Sequence, residues 1–167
     1  MGDRPHRPTS VSGLVKEADM LTLQGDIEKA RNVFEEAVQM AVKRGDAGIN
    51  NEVAWYGTLD KFPDIVLPAC SRAIELAKDE RKPLLRDTRG VALALTEKFP
   101  EAIEDFEAYV AWLKETEKHE LETNTDQAKK NAAAYKKIRE EREEWIGKLK
   151  SGRSPFDDPT LMSLRQE

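Results

Sequence analysis

The residues of this sequence that could carry out chemistry are few and isolated. The chain has 167 residues, with one cysteine, Cys70, and two histidines, His6 and His119. A reactive thiolate needs a base and an orienting group, and neither a histidine nor a second cysteine lies near Cys70 in the sequence. We therefore interpret Cys70 as a buried structural thiol. His119 lies among charged residues and is interpreted as a surface imidazole.

Carboxylates are abundant, but their spacing does not suggest an acid–base site. They occur as adjacent pairs at Glu35 and Glu36, Glu104 and Asp105, Glu140 and Glu141, and Glu143 and Glu144. Neighbouring side chains on a helix point about 100° apart, so these pairs are interpreted as solvated faces. Neither GxxxxGK[ST] nor GxGxxG occurs in the sequence. We expect a protein that is not an enzyme, with no cofactor and no metal site.

The charge distribution excludes some classes of partner. The chain carries 27 Lys and Arg against 32 Asp and Glu, and residues 11–113 hold 13 basic and 19 acidic residues. Nucleic-acid binders need clustered cations, so we expect no nucleic-acid partner. No apolar run approaches the roughly 18 residues of a membrane span, and no secretory signal is recognisable. The expectation is a cytoplasmic protein with no membrane association.

The elements that would position any functional residue are all predicted to be helices. Residues 1–10 lack apolar periodicity and are interpreted as a disordered tail. Between Val11 and Leu113, apolar residues recur at helical spacing and are interrupted by Gly and Pro breakers, which predicts six helices and no strand. A long polar helix over 122–150 and a short last helix that begins at an Asp158 cap follow. The predicted fold class is all-α.

Self-similarity at a period of 36 residues organises these helices. Ala18, Ala54 and Gly90 are 36 residues apart, and Phe34 lies 72 residues from Phe106. The second helix of the middle copy is interpreted as shifted by about one residue. These repeats predict helix pairs at 11–44, 47–80 and 83–117, while residues 118–167 supply a long capping helix and a short terminal helix.

At these residues the chain resembles the tetratricopeptide repeat, in which a small residue in the first helix precedes an alanine and an aromatic residue in the second. Segments 50–77, 85–112 and 144–164 are similar to the C-terminal repeat module of large bacterial proteins with WD-repeat, NTPase or caspase-like domains. The resemblance implies a helical-repeat solenoid. It also implies a non-enzymatic adaptor or scaffold role, within a bacterial conflict or signalling system.

In tetratricopeptide arrays the first helix of each pair lines a concave groove, which implies a binding face for another protein. In this sequence, the residues that correspond to the groove-lining positions are Ser12, Val15, Asp19, Thr22, Asn51, Trp55, Thr58, Asp87, Val91 and Ala94. We expect Val15, Asp19, Asn51, Trp55, Asp87 and Val91 to bind the partner. The acidic groups favour an apolar or basic segment over a terminal carboxylate. The alternative is a structural role, in which the helix over 122–150 mediates self-association.

Overall fold

The computed structural model describes residues 8–166, and over that range the chain is all-helical, without a strand. Most of the predicted tail, residues 1–7, lies outside the described residues. The helices are α1 (Val11–Leu23), α2 (Ile27–Arg44), α3 (Ala47–Leu59), α4 (Pro63–Leu76), α5 (Lys82–Leu95), α6 (Phe99–Thr123), α7 (Asp126–Lys150) and α8 (Asp158–Leu164). A 3-10 turn at Asp79–Arg81 precedes α5.

The first six helices form three antiparallel pairs that stack in chain order. Within the pairs, α1 packs on α2, α3 on α4 and α5 on α6. Between the pairs, the first helices pack on one another in the order α1, α3, α5, and α2 and α4 also pack on the first helix of the next pair. Each pair therefore buries its apolar stripe against its neighbours, as the period predicts.

The turn inside each pair repeats with a period of 36 residues in all three copies. Gly25, Lys61 and Glu97 have φ values of 81°, 67° and 60°. The following residue in each copy donates a backbone hydrogen bond to the carbonyl five residues earlier, as in a Schellman motif. The second helices begin at residues 27, 63 and 99, also 36 residues apart. The predicted one-residue shift of the middle copy is wrong, because lysine takes the left-handed position that glycine holds in the first copy.

Small residues allow the two helices of each pair to approach closely. Ala18, Ala54 and Gly90 are all buried. Phe34, Cys70 and Phe106, also 36 residues apart, hold the equivalent position in the second helices, each almost without exposure. A Cβ atom on Gly90 would lie 2.8 Å from the Phe106 ring. The third pair is therefore packed so tightly that glycine is needed at this position.

The C-terminal helices differ in their bounds from the sequence prediction. The last helix of the third pair, α6, continues past residue 117 to Thr123, and α7 begins after a Thr125 cap. Ion pairs four residues apart form along α7, with Lys136 Nζ 3.9 Å from Glu140 and Lys148 Nζ 2.8 Å from Glu144. The α7 helix lies along α6, and its exposed residues are mostly charged.

The last short helix is capped one residue earlier than predicted. Oδ1 of Asp157 accepts a hydrogen bond of 2.9 Å from the Thr160 amide, so Asp157, and not Asp158, is the N-cap. Pro159 then occupies the second helical position, where its missing N–H costs little. Phe156, Leu161 and Leu164 are buried, and this segment folds back onto the helix pairs.

Candidate functional site

Three positions of each first helix form one continuous surface, which we call the first-helix face. Their members, each 36 residues apart, are Asp19, Trp55 and Val91; Thr22, Thr58 and Ala94; and Leu23, Leu59 and Leu95. The repeat places equivalent residues of α1, α3 and α5 in equivalent orientations, so the face crosses all three pairs. It contains six of the residues that the family resemblance assigns to a binding groove.

The chain's own C-terminal segment covers the first-helix face over the second and third pairs. Leu161 and Leu164 of α8 lie in one apolar cluster with Leu59 and Val91, and Trp55 packs against that cluster. The α8 helix is a neighbour of α3. The face is therefore able to hold a short amphipathic helix that presents two leucines three residues apart.

Charged contacts fix the position of α8 on this face. Nη1 of Arg165 lies 2.5 Å from Oδ1 of Asp19 on α1, and Nη2 of the same side chain donates to Asp60. At the other end of the helix, Nζ of Lys61 lies 2.6 Å from Asp158. One guanidinium thus bridges the ends of α1 and α3, which orients the helix across two pairs.

Asp60 is the most perturbed carboxyl group of this region. Its side chain is almost fully buried, and burial raises the pKa of Asp60 to about 6. The Arg165 guanidinium opposes this rise, whereas the neighbouring Asp19 adds to it. No donor among residues 8–166 reaches Oδ2 of Asp60. The aspartate pair is therefore a site that favours a cation, and Arg165 satisfies it incompletely.

The part of the first-helix face that α1 contributes is left uncovered at Leu23. Leu23 is 77% exposed, whereas Leu59, the equivalent residue of the second pair, is 5% exposed. Leu59 lies in the apolar cluster that contains Leu161 and Leu164 of α8, and that cluster does not include Leu23. Leu23 lies one turn beyond Asp19 on the same side of α1.

A buried ion pair joins α7 to the third pair. Nε and Nη2 of Arg142 donate to the two carboxylate oxygens of Asp87 at 3.1 and 2.9 Å. The guanidinium carbon lies 4.1 Å from the centre of the Trp145 ring, an additional cation–π contact. Asp87 therefore holds α7 against α5 and does not face an open groove.

The other predicted partner-binding residues lie in different environments. Val15 and Val91 are buried, with 1% and 0% exposure, so the expectation that they offer open surface is corrected. Val15 lies in the apolar cluster of the first two pairs, and Val91 lies in the cluster that contains Leu161 and Leu164 of α8. Trp55 and Asn51 are half-buried, and Asn51 lines a cavity of about 350 Å³ between the start of α3 and the end of α4.

The remaining predicted groove residues make local contacts. Oγ of Ser12 donates to Glu52 at 2.8 Å. The hydroxyls of Thr22 and Thr58 donate to the carbonyls of Ala18 and Ala54, at 2.9 and 2.7 Å, and Ala94 is buried. Of the predicted set, Val91 and Ala94 belong to the apolar cluster that contains Leu161 and Leu164, Trp55 packs against that cluster, and Asp19 contacts Arg165.

Sequence reasoning did not identify the buried Asp60, and it interpreted a second buried carboxylate, Asp105, wrongly as solvated. Asp105 is buried and accepts hydrogen bonds of 2.6 and 2.8 Å from the Arg89 guanidinium. A signal was available, since two arginines, Arg86 and Arg89, lie on the helix that pairs with α6. Burial also raises the pKa of the nearby Cys70 thiol to about 12, so this cysteine stays protonated. His119 is exposed, as interpreted.

Comparison with protein-family models, curated proteins and solved structures finds no match to this chain. Within residues 8–166, no three His, Cys, Asp or Glu side chains are grouped so that they could hold a metal ion. Over the same range, the helices lack the combination of length and apolar character that crossing a membrane requires.

Proposed function

We propose that this chain is a protein-interaction module of tetratricopeptide type, which binds a short helical segment of a partner on the first-helix face. The observation that carries the proposal is the position of α8, which lies on that face through Leu161, Leu164 and Arg165. A surface that holds a helix of its own chain has the shape and charge to hold one from another protein.

The chemistry of the face supports an apolar or basic segment as the ligand. Leu59 and Trp55 supply apolar area, while Asp19 and Asp60 supply two carboxylates for one cation. The buried charged groups nearby are held in structural pairs such as Arg142 with Asp87, which supports a role without catalysis. The resemblance to bacterial C-terminal repeat modules supports an adaptor role in a conflict or signalling system.

In the full chain, α8 competes with any external ligand. A segment joined to its own binding surface by a short flexible linker has an effective concentration in the millimolar range. An external copy of the same segment must therefore exceed that concentration before it replaces α8. Binding to the unchanged protein is expected to be weak for any ligand that makes the same contacts as α8.

The direct test removes this competition by substitution in the full chain. The variant Leu161→Ser with Leu164→Ser should release α8, whereas Met162→Ser, at an exposed position of the same helix, is the matched control. A fluorescent peptide of residues 153–166 should bind the double variant saturably and should not bind the control below millimolar concentration. A peptide carrying Leu164→Asp should not bind either protein.

The outcome against the proposal is equally specific. If the double variant keeps the helical circular dichroism of the control and yet fails to bind the peptide, the first-helix face is not a receptor for helical segments. If the double variant unfolds, Arg165→Ala is the second variant, because it removes the charged anchor and leaves both leucines. It should then bind the peptide more readily than the unchanged chain.

A further inference from the structure

The uncovered end of the first-helix face indicates which kind of partner helix would bind there. Leu59 is buried in the apolar cluster that contains Leu161 and Leu164 of α8, but Leu23, its equivalent on α1, is 77% exposed. Asp60 also retains one buried carboxylate oxygen that no described residue satisfies. The intramolecular helix therefore leaves both apolar area and hydrogen-bonding capacity on this face unused.

From these observations, and on the basis of the proposed function, we infer that the partner is an amphipathic helix at least one turn longer than α8. Its residues that face the module repeat the pattern of Leu161, Leu164 and Arg165, namely two apolar residues three apart followed directly by arginine. A further apolar residue, three positions after the arginine, covers Leu23.

The arginine is required because of the geometry at the junction of α1 and α3. Asp19 and Asp60 converge on one guanidinium, and its planar fork of donors can bridge two carboxylates, which an ammonium group does less well. The same carboxylates disfavour an acidic residue at this position. The partner is thus a basic amphipathic helix.

The additional turn is what allows the partner to replace α8. A ligand that only copies α8 meets an intramolecular competitor at millimolar effective concentration. Contact with Leu23 adds apolar burial that α8 does not have, and one buried leucine changes affinity by about tenfold or more. Leu23 is therefore the residue that distinguishes the partner from the chain's own segment.

The test compares two peptides that differ at one residue. Both contain residues 153–166 followed by one helical turn, with leucine in one and glutamine in the other at the third position after the arginine. Affinities are measured by fluorescence anisotropy for the Leu161→Ser, Leu164→Ser double variant and for the unchanged chain. The same measurements are made after Leu23→Gln is added to each protein.

The leucine peptide should bind the double variant at least about tenfold more tightly than the glutamine peptide, and Leu23→Gln should abolish the difference without weakening the glutamine peptide. Equal binding of the two peptides, or a difference that survives Leu23→Gln, would overturn the inference but leave the proposed function standing. Failure of both peptides to bind would instead contradict the proposed function. A complex with the mass of two chains would assign the face to a second copy.

Discussion

Arg142 on α7 and Asp87 on α5 form a bidentate ion pair in the interior, 55 residues apart in the sequence. Such a pair contributes little net stability, but the loss of one member leaves the other charge buried without compensation. Arg142 also lies over the Trp145 ring, so its removal opens space as well. This pair is a buried polar connection between α7 and α5.

We expect Arg142→Met to lower the free energy of unfolding by about 3–5 kcal/mol, measured by urea denaturation. Adding Asp87→Leu should recover a substantial part of that loss, because no uncompensated charge is left. The exposed pair of Lys150 and Glu107 is the control, since Lys150→Met should change stability by less than about 1 kcal/mol. Strictly additive losses at Arg142 and Asp87 would argue against the pairing.

The raised pKa of Asp60 predicts a pH dependence of stability. Because burial raises this pKa from 3.8 to about 6, the folded chain binds the proton over a range in which the unfolded chain has released it. The contribution of Asp60 to the free energy of unfolding is thus fully present below pH 3.8, and it is lost as the pH rises to about 6. We expect the stability of the unchanged protein, relative to Asp60→Asn, to fall across this window.

Urea midpoints measured in steps between pH 4 and pH 7.5 would reveal this slope. Arg165→Ala should extend the decline to higher pH, since the guanidinium holds the Asp60 pKa below the value that burial alone would give. A pH profile of Asp60→Asn parallel to that of the unchanged protein would contradict the assignment.

Two glycines inside helices should respond in opposite directions to the same substitution. A Cβ on Gly90 would lie 2.8 Å from the Phe106 ring, whereas a Cβ on Gly147 meets no atom within 4 Å. Gly90→Ala should lower the free energy of unfolding by about 1–3 kcal/mol through overpacking. Gly147→Ala should raise it by about 0.5–1 kcal/mol through helix propensity. A stabilising Gly90→Ala would show that the pairs are packed more loosely.

The left-handed turn residues provide a test of the 36-residue period. Glu97 has φ of 60° at the position where the first pair has Gly25. Glu97→Gly should raise stability by about 0.5 kcal/mol, and Gly25→Ala should lower it by about 1 kcal/mol. Glu115→Gly, on an exposed part of α6, is the matched control and should lower stability by about 1 kcal/mol. If Glu97→Gly behaves like that control, residue 97 does not have a left-handed conformation.

The helices and their period could be predicted from the sequence because both depend on local spacing. Apolar residues at three and four positions apart determine which face of each helix is buried, and Ala18, Ala54 and Gly90 reveal the repeat without tertiary information. The backward fold of Phe156, Leu161 and Leu164 was also accessible, since apolar residues after a helix stop must be buried somewhere.

The position at which the C-terminal segment docks could not be predicted. Arg165 contacts Asp19 across 146 residues and Asp60 across 105, and such pairings depend on tertiary distances that no sequence spacing encodes. For the same reason Asp105 was interpreted as solvated and Asp87 as facing an open groove. Charged residues of an all-helical protein look alike in sequence, whether they are buried in pairs or solvated.

The most direct test of the docked helix is hydrogen exchange of residues 158–166 in the full chain. A helix of seven residues is not stable in water by itself, so its amides should be protected only while α8 lies on the first-helix face. Saturation with the leucine peptide should raise their exchange to the rate found in the Leu161→Ser, Leu164→Ser double variant. If that peptide binds while the protection of α8 is unchanged, the partner does not occupy this face.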